Sequence, residues 1–319
     1  MKKVLITGGS GFIGTNFSEL LNAKGIDFLN IDIAPPLNEV YKKNWLKQDI
    51  LDCEGLLKIV KEYDPNHILH LAAVTSCASS LVMEDYLTNT EGTNNVIQAA
   101  IALTGLKTIV FTSTQYVHYP NSTPKSDTDY KPHTIYGESK VIGEKMVRKS
   151  GIEAKWIIIR PTNIWGEWHQ RYKSEFWRIL QKGLYIHPKS NAVRAYGYVR
   201  NVNNQIFEFL TNPAVPNKSV FYVGDSPIKM YDWVNLFSVG LTGKKVKQVP
   251  KQVLYLLAIA GELLKLLGVQ EPPMRLTRYR NMVSSDNAPM TKTIELVGAS
   301  QYTLIEGVHN TVKWIKAQK

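Results

Sequence analysis

The sequence predicts an α/β protein in which helices cover both faces of a parallel β-sheet, with a smaller, mostly helical part after it. Two observations carry this prediction. Short apolar runs alternate with longer segments of helical periodicity through the first half of the chain, and a glycine-rich turn directly follows the first apolar run. Such alternation is typical of strand–helix–strand units, whose parallel strands are joined by crossover helices.

Hydrophobic periodicity and turn residues give the predicted elements in order. Buried strands are predicted at 4–6, 28–31, 68–71, 108–111 and 156–159. Helices are predicted at 12–24, 52–63, 85–104, 135–150, 173–183 and 230–241, with a further apolar helix at 253–269. Beyond Pro161, tryptophan, glycine and proline residues interrupt the alternation, which indicates a change of architecture.

The composition is that of an ordinary globular chain of 319 residues with two cysteines, Cys53 and Cys77. Two cysteines give neither a disulfide framework nor metal-ligand spacing, as expected in a reducing compartment. The first residues lead almost at once into a strand, unlike a secretory signal, so we expect a cytoplasmic protein. His67 and His70 have no third ligand nearby, so we expect them to be structural and predict no metal site.

The C-terminal region carries most of the excess positive charge. Residues 241–319 contain 12 Lys and Arg against 5 Asp and Glu, and so contribute +7 of the net charge of +11. Three interpretations compete: attraction of an anionic substrate, contact with an acidic membrane surface, and an ordinary solvated face, which is favoured. No interleaving of aromatic and basic residues indicates nucleic-acid binding.

The glycine-rich turn predicts a dinucleotide cradle. TGGSGFIG at positions 7–14 ends a strand and begins a helix. Its glycines, among them Gly8, Gly11 and Gly14, let backbone N–H groups approach a pyrophosphate at the helix N-terminus. Asp32 ends the second strand, where a carboxylate accepts both ribose hydroxyls and repels a 2′-phosphate. The sequence thus predicts a Rossmann-type, doubly wound sheet that binds NAD rather than NADP.

This cofactor assignment extends to the domain organisation. We expect residues 1–161 to form the NAD-binding Rossmann domain, to which the chain returns around 198–224. Residues 162–319 are expected to form mainly a substrate-binding domain. No internal repeat or low-complexity linker separates the two parts.

Tyr136 and Lys140 form a candidate proton-transfer pair. Their i, i+4 spacing places them one turn apart on the same face of the helix predicted at 135–150. A tyrosine serves as a base at neutral pH only if its pKa falls, and a neighbouring ammonium and an oxidised nicotinamide ring both favour the phenolate. Together with the cradle, the pair predicts hydride transfer on a secondary alcohol or its ketone.

In these motifs the chain resembles the extended short-chain dehydrogenase/reductase family, in its NAD-dependent epimerase/dehydratase branch. The resemblance spans nearly the whole chain. Beyond TGGSGFIG, Asp32 and the Tyr136/Lys140 pair, it rests on ordered matches at 49–52 (DILD), 70–73 (HLAA), 89–93 (NTEGT), 112–114 (TST), 160–163 (RPTN) and 194–199 (RAYGYV).

The resemblance implies roles for individual residues. Thr114, Tyr136 and Lys140 look like the catalytic set, in which the Thr114 hydroxyl bonds the reacting oxygen. Asn89 resembles the helix residue that orders the site beside the cofactor. The cofactor contacts it implies are Gly8, Gly11, Phe12, Ile13, Gly14, Asp32, Ile33, Asp49, Ile50, Leu71, Ala72, Ala73, Asn89, Thr112, Tyr136, Lys140 and Pro161. The substrate contacts it implies are Thr75, Thr114, Asn163 and Arg194, the last two on a diphosphate.

The residues after Thr114 narrow the chemistry. Dehydratases that resemble this chain place an Asp-Glu pair there, whereas this chain has Gln115 and Tyr116. Neither side chain supplies a carboxylate, so dehydration is disfavoured and hydride transfer alone remains. The favoured prediction is an NAD-dependent nucleotide-sugar epimerase of the UDP-hexose 4-epimerase type. The resemblance also implies a homodimer formed through the helices at 85–104 and 135–150.

Departures from the family pattern keep alternatives open. His118 and Glu167 replace the usual Tyr and Pro, and Asn201 stands where sugar-nucleotide members usually carry Asp. Asn201 and the apolar helix after Pro250 are similar to the 3β-hydroxysteroid dehydrogenase branch. The second prediction is therefore an NAD-dependent dehydrogenase or ketoreductase of a sugar nucleotide or of a lipid or sterol alcohol. A third is a non-catalytic NAD-binding protein on the same fold.

Overall fold

The computed structural model describes residues 3–78, 80–120, 122–270 and 272–318. The strands, in chain order, are β1 (Lys3–Thr7), β2 (Asp27–Asp32), β3 (Trp45–Lys47), β4 (His67–His70), β5 (Thr108–Thr112), β6 (Lys155–Pro161), β7 (Asn163–Trp165), β8 (Ile186–Pro188), β9 (Val193–Arg194), β10 (Tyr196–Tyr198), β11 (Ser219–Val223), β12 (Ile228–Lys229) and β13 (Lys247–Val249).

The α-helices follow the strands in the expected alternation. They are α1 (Phe12–Ala23), α2 (Cys53–Tyr63), α3 (Leu87–Ile101), α4 (Ile135–Lys149), α5 (Arg178–Gln181), α6 (Val199–Thr211), α7 (Met230–Thr242), α8 (Lys251–Leu266), α9 (Leu276–Val283), α10 (Thr291–Val297) and α11 (Leu304–Ala317). Side chains cap several N-termini as the local sequence requires: Asp52 accepts the Gly55 N–H before α2, and Thr134 accepts the Gly137 N–H before α4.

The central sheet has seven parallel strands in the order β11-β6-β5-β4-β1-β2-β3. The order reverses between β1 and β4, which pair from Val4↔His67 to Thr7↔His70. In a doubly wound sheet, ligands bind beyond the carboxyl ends of the strands at such a switch point. The predicted fold class is confirmed, and the glycine-rich turn leaves the sheet at this switch point.

Both faces of the sheet are covered. One face, including Leu5, Ile68, Ile109 and Ile158, packs in a single cluster with residues of α2, α3 and α4. Alternate residues of the same strands, such as Val4 and the neighbours of Ile109, are also fully buried. Near-continuous apolar strands are expected where helices cover both faces.

The observed elements differ from the predicted ones at several short segments and at helices α6, α9, α10 and α11, which were not predicted. All five predicted strands are present, but β4 ends at His70, so Leu71 follows the strand. The edge strands β3 and β11 were not expected: β3 is only three residues long and gives little periodic signal, whereas the apolar run of β11, SVFYV, was not recognised as a strand. The helix predicted at 173–183 begins as a π-helix, Tyr172–Trp177, and continues as α5.

The chain forms two compact units. The first comprises Met1–Ile164, Gly197–Asp225 and Ala288–Gln301. It therefore holds the whole central sheet and two returning segments, of which Ala288–Gln301 lies in the part that the sequence prediction gives to the substrate domain. The functions assigned to the two parts stay predictions.

The second unit comprises Trp165–Tyr196, Ser226–Asn287 and Tyr302–Lys319. Its core is aromatic: Trp233 stacks on Phe176 with ring centroids 5.0 Å apart and on Tyr196 at 4.5 Å. Trp165 meets Phe237 edge-on at 5.4 Å. Offset and edge-on ring contacts of this kind stabilise a core beyond the area that they bury.

Candidate active site

The cradle requires glycine at two positions. Gly8 has a φ of +72°, and a Cβ there would lie 2.5 Å from the backbone nitrogen of Ala72. A Cβ on Gly14 would lie 2.5 Å from the Cα of Gly9, where α1 packs on the turn. The glycine turn can lie against the segment after β4, and α1 against the turn, only without side chains at these positions, as a pyrophosphate cradle demands.

The N-terminus of α1 and the end of β2 form the rest of the cradle. Gly11 precedes α1 and has no side chain that could cap the helix. The N–H groups and the positive end of the helix dipole are therefore available to an anionic group such as a pyrophosphate. The two carboxylate oxygens of Asp32 accept the backbone N–H groups of Ser10 and Ala34, each at 3.0 Å. These bonds fix Asp32 beside the glycine turn, where its remaining lone pairs suit ribose hydroxyls. These residues fit NAD.

Other predicted cofactor residues lie around this edge of the sheet. Phe12 and Ile13 are half-buried in the first turn of α1, and Ile33 is exposed after β2. Asp49 is exposed and accepts the Leu51 N–H at 2.9 Å, whereas Ile50 is buried in the core cluster. Their contacts with a dinucleotide stay predictions.

Asn89 joins the loop after β4 to α4. Its amide oxygen accepts the Val74 N–H at 2.8 Å, and its amide nitrogen donates to the Val74 carbonyl at 3.0 Å and to the Ser139 hydroxyl at 2.9 Å. Ser139 in turn donates to the Tyr136 carbonyl at 2.7 Å. This buried chain holds the segment after Leu71, Ala72 and Ala73 against the helix that carries the candidate base.

Thr114 and Tyr136 are brought together, as the resemblance implies. Thr114 caps a short 3₁₀ turn after β5, where its hydroxyl accepts the Tyr116 N–H at 3.2 Å. Tyr136 lies in the first turn of α4, and its side chain is hydrogen-bonded to that of Thr114. Both residues are more than nine-tenths buried. A hydroxyl pair of this kind can hold one substrate oxygen between an orienting group and a proton acceptor.

The pKa of Tyr136 moves in the opposite direction to the predicted one. Burial raises the pKa of the phenol well above its ordinary value and outweighs the hydrogen bond from Thr114, which lowers it. Among the protein's own groups, burial decides the direction of this pKa, so the role of Lys140 in favouring the phenolate stays a prediction. The positive charge of an oxidised nicotinamide ring is left as the main predicted source of the lowering.

Lys140 is buried one turn further along α4. Its ammonium donates to the Thr112 carbonyl at 3.0 Å, at the end of β5. Burial lowers the pKa of Lys140 to about 8, while the charge of Glu144 raises it. Among the described residues, the buried Thr112 hydroxyl oxygen has no hydrogen-bond partner. The Lys140 ammonium and the Thr112 hydroxyl are therefore two polar groups at the end of β5, which fits a ribose-binding role.

We expect Lys140→Met to lose turnover yet to be more stable than the wild type at pH 7. Burial destabilises the charged form of Lys140 in the folded protein. This loss of stability is fully present below about pH 8 and disappears as the pH rises through the ordinary pKa of lysine. That cost, offset by a lost hydrogen bond, leaves a gain of about 2 kcal/mol. Urea unfolding at pH 7 and at about pH 10 tests this. A variant less stable at both pH values would contradict it.

The two histidines are placed as structural residues. His70 is fully buried, with Nδ1 2.7 Å from the Thr7 hydroxyl and Nε2 3.1 Å from the Thr93 hydroxyl. Burial, and then the charge of Lys140, lowers the pKa of His70 to about 3, and burial lowers that of His67 to about 4. Within the described ranges, no group of three or more His, Cys, Asp and Glu could hold a metal ion.

A buried ion pair supports the site and was not predicted. Arg160 donates from Nε and Nη2 to the two carboxylate oxygens of Glu144, at 2.9 and 2.8 Å. Glu144 also accepts the Ser113 hydroxyl at 2.6 Å and the Tyr130 hydroxyl at 3.0 Å. The pair therefore ties β6 and the residue before Thr114 to α4. The sequence feature that could have predicted this pair is Arg160 at the end of the apolar run of β6, because a buried guanidinium needs a buried carboxylate.

The predicted substrate residues are spread over both units. In the first unit, Thr75 is exposed in the loop after β4, and Asn163 begins β7, half-buried. Pro161, which was predicted as a cofactor contact, ends β6. In the second unit, the Arg194 guanidinium lies 3.7 Å from the Asp286 carboxylate and also donates to the Ser284 hydroxyl and the Asn281 carbonyl. Its proposed contact with a diphosphate stays a prediction.

Comparison with known proteins agrees with this geometry. Residues 4–224 match the sequence model of the NAD dependent epimerase/dehydratase family. N-acetyl-alpha-D-glucosaminyl-diphospho-ditrans,octacis-undecaprenol 4-epimerase of Escherichia coli O157:H7 is 26% identical, over 98% of this chain and 94% of its own length. The 3-beta-hydroxysteroid dehydrogenase of Mycolicibacterium neoaurum is 26% identical over 77% of this chain and 72% of its own.

Solved structures share the fold. The structure of UDP-glucose 4-epimerase from Thermotoga maritima with UDP-glucose superposes with a TM-score of 0.75 at 23% identity and covers 99% of both chains. The Thermus thermophilus UDP-glucose 4-epimerase in complex with NAD gives 0.73 at 22% identity, over 99% of this chain and 100% of that one. From its family match, its switch-point cradle and its Thr114–Tyr136 pair, this chain belongs to the NAD dependent epimerase/dehydratase family and is an NAD-dependent enzyme.

Proposed function

We propose that the protein epimerises the C4 hydroxyl of a hexose carried on a diphosphate, with UDP-hexoses as the first candidate substrates. The observation that carries the proposal is the buried, hydrogen-bonded pair of Thr114 and Tyr136, with Lys140 one turn away. Gln115 and Tyr116 follow where dehydration would need carboxylates. The site is therefore equipped to move one proton, and it lacks the acid and base that remove water.

NAD, when bound, supplies a hydride acceptor and donor. Tyr136 takes the proton from the sugar hydroxyl and returns it after the ketone has turned over. Thr114 orients the oxygen during both transfers. Lys140 donates to the Thr112 carbonyl. Its positive charge at the buried end of the site favours the phenolate form of Tyr136, which accepts the substrate proton.

A diphosphate gives the sugar a fixed handle while its ring turns. We expect Arg194 to contact it. Arg194 would then exchange its contacts with the Asn281 carbonyl and the Ser284 hydroxyl for phosphate oxygens, which bind guanidinium groups in a bidentate fashion. Binding energy spent on the unreacting diphosphate can be used to position the sugar for hydride transfer.

A second candidate substrate is a hexose on a polyprenyl diphosphate. The relative from Escherichia coli, which matches nearly the whole chain, is named for such a substrate. This chain also exposes an apolar helix: Leu256, Leu263 and Leu267 of α8 and its C-terminal end are 65%, 56% and 81% exposed. An apolar surface of this kind suits a lipid-linked substrate better than a free nucleotide sugar.

Asn201 was one argument for the hydroxysteroid alternative, and the structure gives another reason for it. Asn201, which departs from the sugar-nucleotide pattern, is buried and donates to the Asp225 carboxylate at 2.8 Å. Asp225 also accepts the Tyr198 N–H and the Ser300 hydroxyl, each at 2.6 Å. An aspartate at position 201 would place two carboxylates together, so Asn201 has a structural reason within this chain. Because a 3-beta-hydroxysteroid dehydrogenase is among the relatives, oxidation of a lipid alcohol remains the second candidate reaction.

The test is a substrate panel with purified protein. We expect UDP-hexoses, or N-acetylhexosamine on a polyprenyl diphosphate, to give their C4 epimers by NMR without net formation of NADH. NAD that survives dialysis would support epimerisation. Net NADH formation with a sugar nucleotide or a 3β-hydroxysteroid would show a dehydrogenase instead. NAD binding with no turnover of any substrate would support the non-catalytic alternative and overturn the proposal.

We also propose a cytoplasmic homodimer that pairs α3 and α4, as the family resemblance implies. Light scattering after size-exclusion chromatography measures the subunit number directly.

A further inference from the structure

The helix α8 has an unusual distribution of burial. Only Leu254, Ala258 and Gly261 are buried, and they form a narrow seam at i, i+4 and i+7. A Cβ on Gly261 would collide with the Met274 carbonyl oxygen, so this seam packs closely on the segment before α9. Only this narrow edge of α8 packs against the rest of the protein, and the remaining circumference of the helix lies outside the core.

The face opposite the seam is apolar. At 100° per residue, Leu256, Ile259, Leu263 and Leu267 lie on the side of the helix away from Leu254. They are 65%, 36%, 56% and 81% exposed, and Leu266 beside them is 84% exposed. A surface helix of a soluble domain normally turns polar residues outward, whereas this one turns leucines outward.

The charges of α8 lie on the half that carries the seam, and the acid among them is paired. Glu262 accepts the Arg275 guanidinium at 3.2 Å and the Leu276 N–H at 3.0 Å. The segment 241–280 contains eight basic residues against two acidic ones, a net charge of +6. The exposed ones include Lys244, Lys245 and Lys247 before the helix and Arg278 and Arg280 after it.

We propose that α8 is a membrane-surface helix that inserts its leucine face into an anionic phospholipid bilayer. An apolar outer face flanked by lysine and arginine matches the composition of a bilayer whose lipids carry negative head groups. A second copy of this chain is a poorer occupant, because the association of two α8 faces would bring two segments of charge +6 together. Among the described residues, no helix is long and apolar enough to cross a membrane. The helix therefore lies on the surface.

This inference rests on α8 and its flanks alone and holds for either candidate substrate. The sequence favoured an ordinary solvated face for this basic region. The structure adds an exposed leucine face beside the basic residues, which an ordinary solvated face does not explain.

The experiment is co-sedimentation of the full-length protein with unilamellar vesicles. The vesicles contain either phosphatidylcholine alone or an equimolar mixture with phosphatidylglycerol. We expect binding to the mixed vesicles, weaker binding at high salt, and little binding to phosphatidylcholine. Leu256→Asp with Leu263→Asp should weaken binding about tenfold or more, because it places charges in the inserted face. Ile305→Asp is the matched control, since Ile305 is 68% exposed on another helix.

A second pair of variants tests the charge. Lys244→Gln with Lys245→Gln should weaken binding to the anionic vesicles by about fivefold for each lysine near the surface. Lys42→Gln with Lys43→Gln removes the same charge elsewhere and should leave binding unchanged. Because all these side chains are exposed, melting temperatures should match that of the wild type.

Three results would overturn the proposal. The first is no binding of the wild type to anionic vesicles. The second is equal binding of the leucine variants and the wild type. The third is a lipid-free oligomer that the leucine variants dissociate, because it would make a second copy the occupant of this face.

Discussion

Tyr136→Phe is expected to lower kcat by about 10³-fold while the affinity for NAD stays within about twofold of the wild type. The substitution removes only the phenolic oxygen that lies against Thr114. It leaves intact the glycine turn, Asp32 and the packing of α4. Steady-state epimerisation followed by NMR and NAD titration by calorimetry measure the two quantities separately.

The pH profile adds a second readout for this residue. Burial raises the pKa of Tyr136, and the charge of an oxidised nicotinamide ring is expected to lower it. Because the phenolate is the base, the rate of the wild type should rise as the pH increases through the resulting pKa. That rise should be absent from the residual activity of the variant, because phenylalanine does not titrate.

Tyr86→Phe is the matched control for the loss of a phenol. Its ring lies 6.2 Å from that of Tyr136, but its hydroxyl donates to the Ser76 carbonyl at 2.6 Å. We expect it to keep turnover within about threefold, with a stability cost of about 1 kcal/mol for the hydrogen bond. Full activity in Tyr136→Phe, or an equal loss in both variants, would exclude Tyr136 as the base.

Glu144→Gln is expected to destabilise the protein by about 3–5 kcal/mol. The guanidinium of Arg160 is 1% exposed and loses its bidentate carboxylate partner, which leaves a buried charge without compensation. Burial lowers the pKa of Arg160, but the Glu144 carboxylate outweighs it and raises the pKa, so the arginine cannot escape the cost by losing its proton. Urea unfolding at pH 7 measures the change in the free energy of unfolding.

The double variant Glu144→Leu with Arg160→Met is the control for this pair. Replacing both partners with apolar groups removes the buried charge as well as the carboxylate, so most of the stability should return. Turnover should nevertheless stay low, because the Ser113 hydroxyl loses the acceptor that holds the end of β5 beside Thr114. A loss below about 1 kcal/mol in Glu144→Gln would show that the pair contributes little.

The sequence predicted the parts of the site that depend on local geometry. The glycine turn at Gly8 is readable because its left-handed backbone and close approach exclude a Cβ wherever the rest of the chain lies. The i, i+4 spacing of Tyr136 and Lys140 likewise fixes their relation within one helix.

The sequence did not reveal the network behind those residues. Glu144 alone resembles a solvated helix residue, and only the pairing of β6 with β5 brings Arg160 and Ser113 to it. The resemblance implied an ordering role for Asn89, but its contact with Ser139, 50 residues away in sequence, was not predicted. Such contacts depend on which helices pack together, and no local pattern records that.

The amino-acid sequence by itself predicted the parallel sheet, the NAD cradle and the one-turn spacing of Tyr136 and Lys140. The sheet follows from the alternation of strands and helices, and the other two follow from short-range backbone and helix geometry. Tertiary structure alone decided the direction of the pKa of Tyr136, since burial depends on everything that surrounds the phenol. It also decided which face of α8 meets solvent. A helix apolar on nearly every side has no periodic signal for its buried edge, so only packing against the Met274 segment selects it.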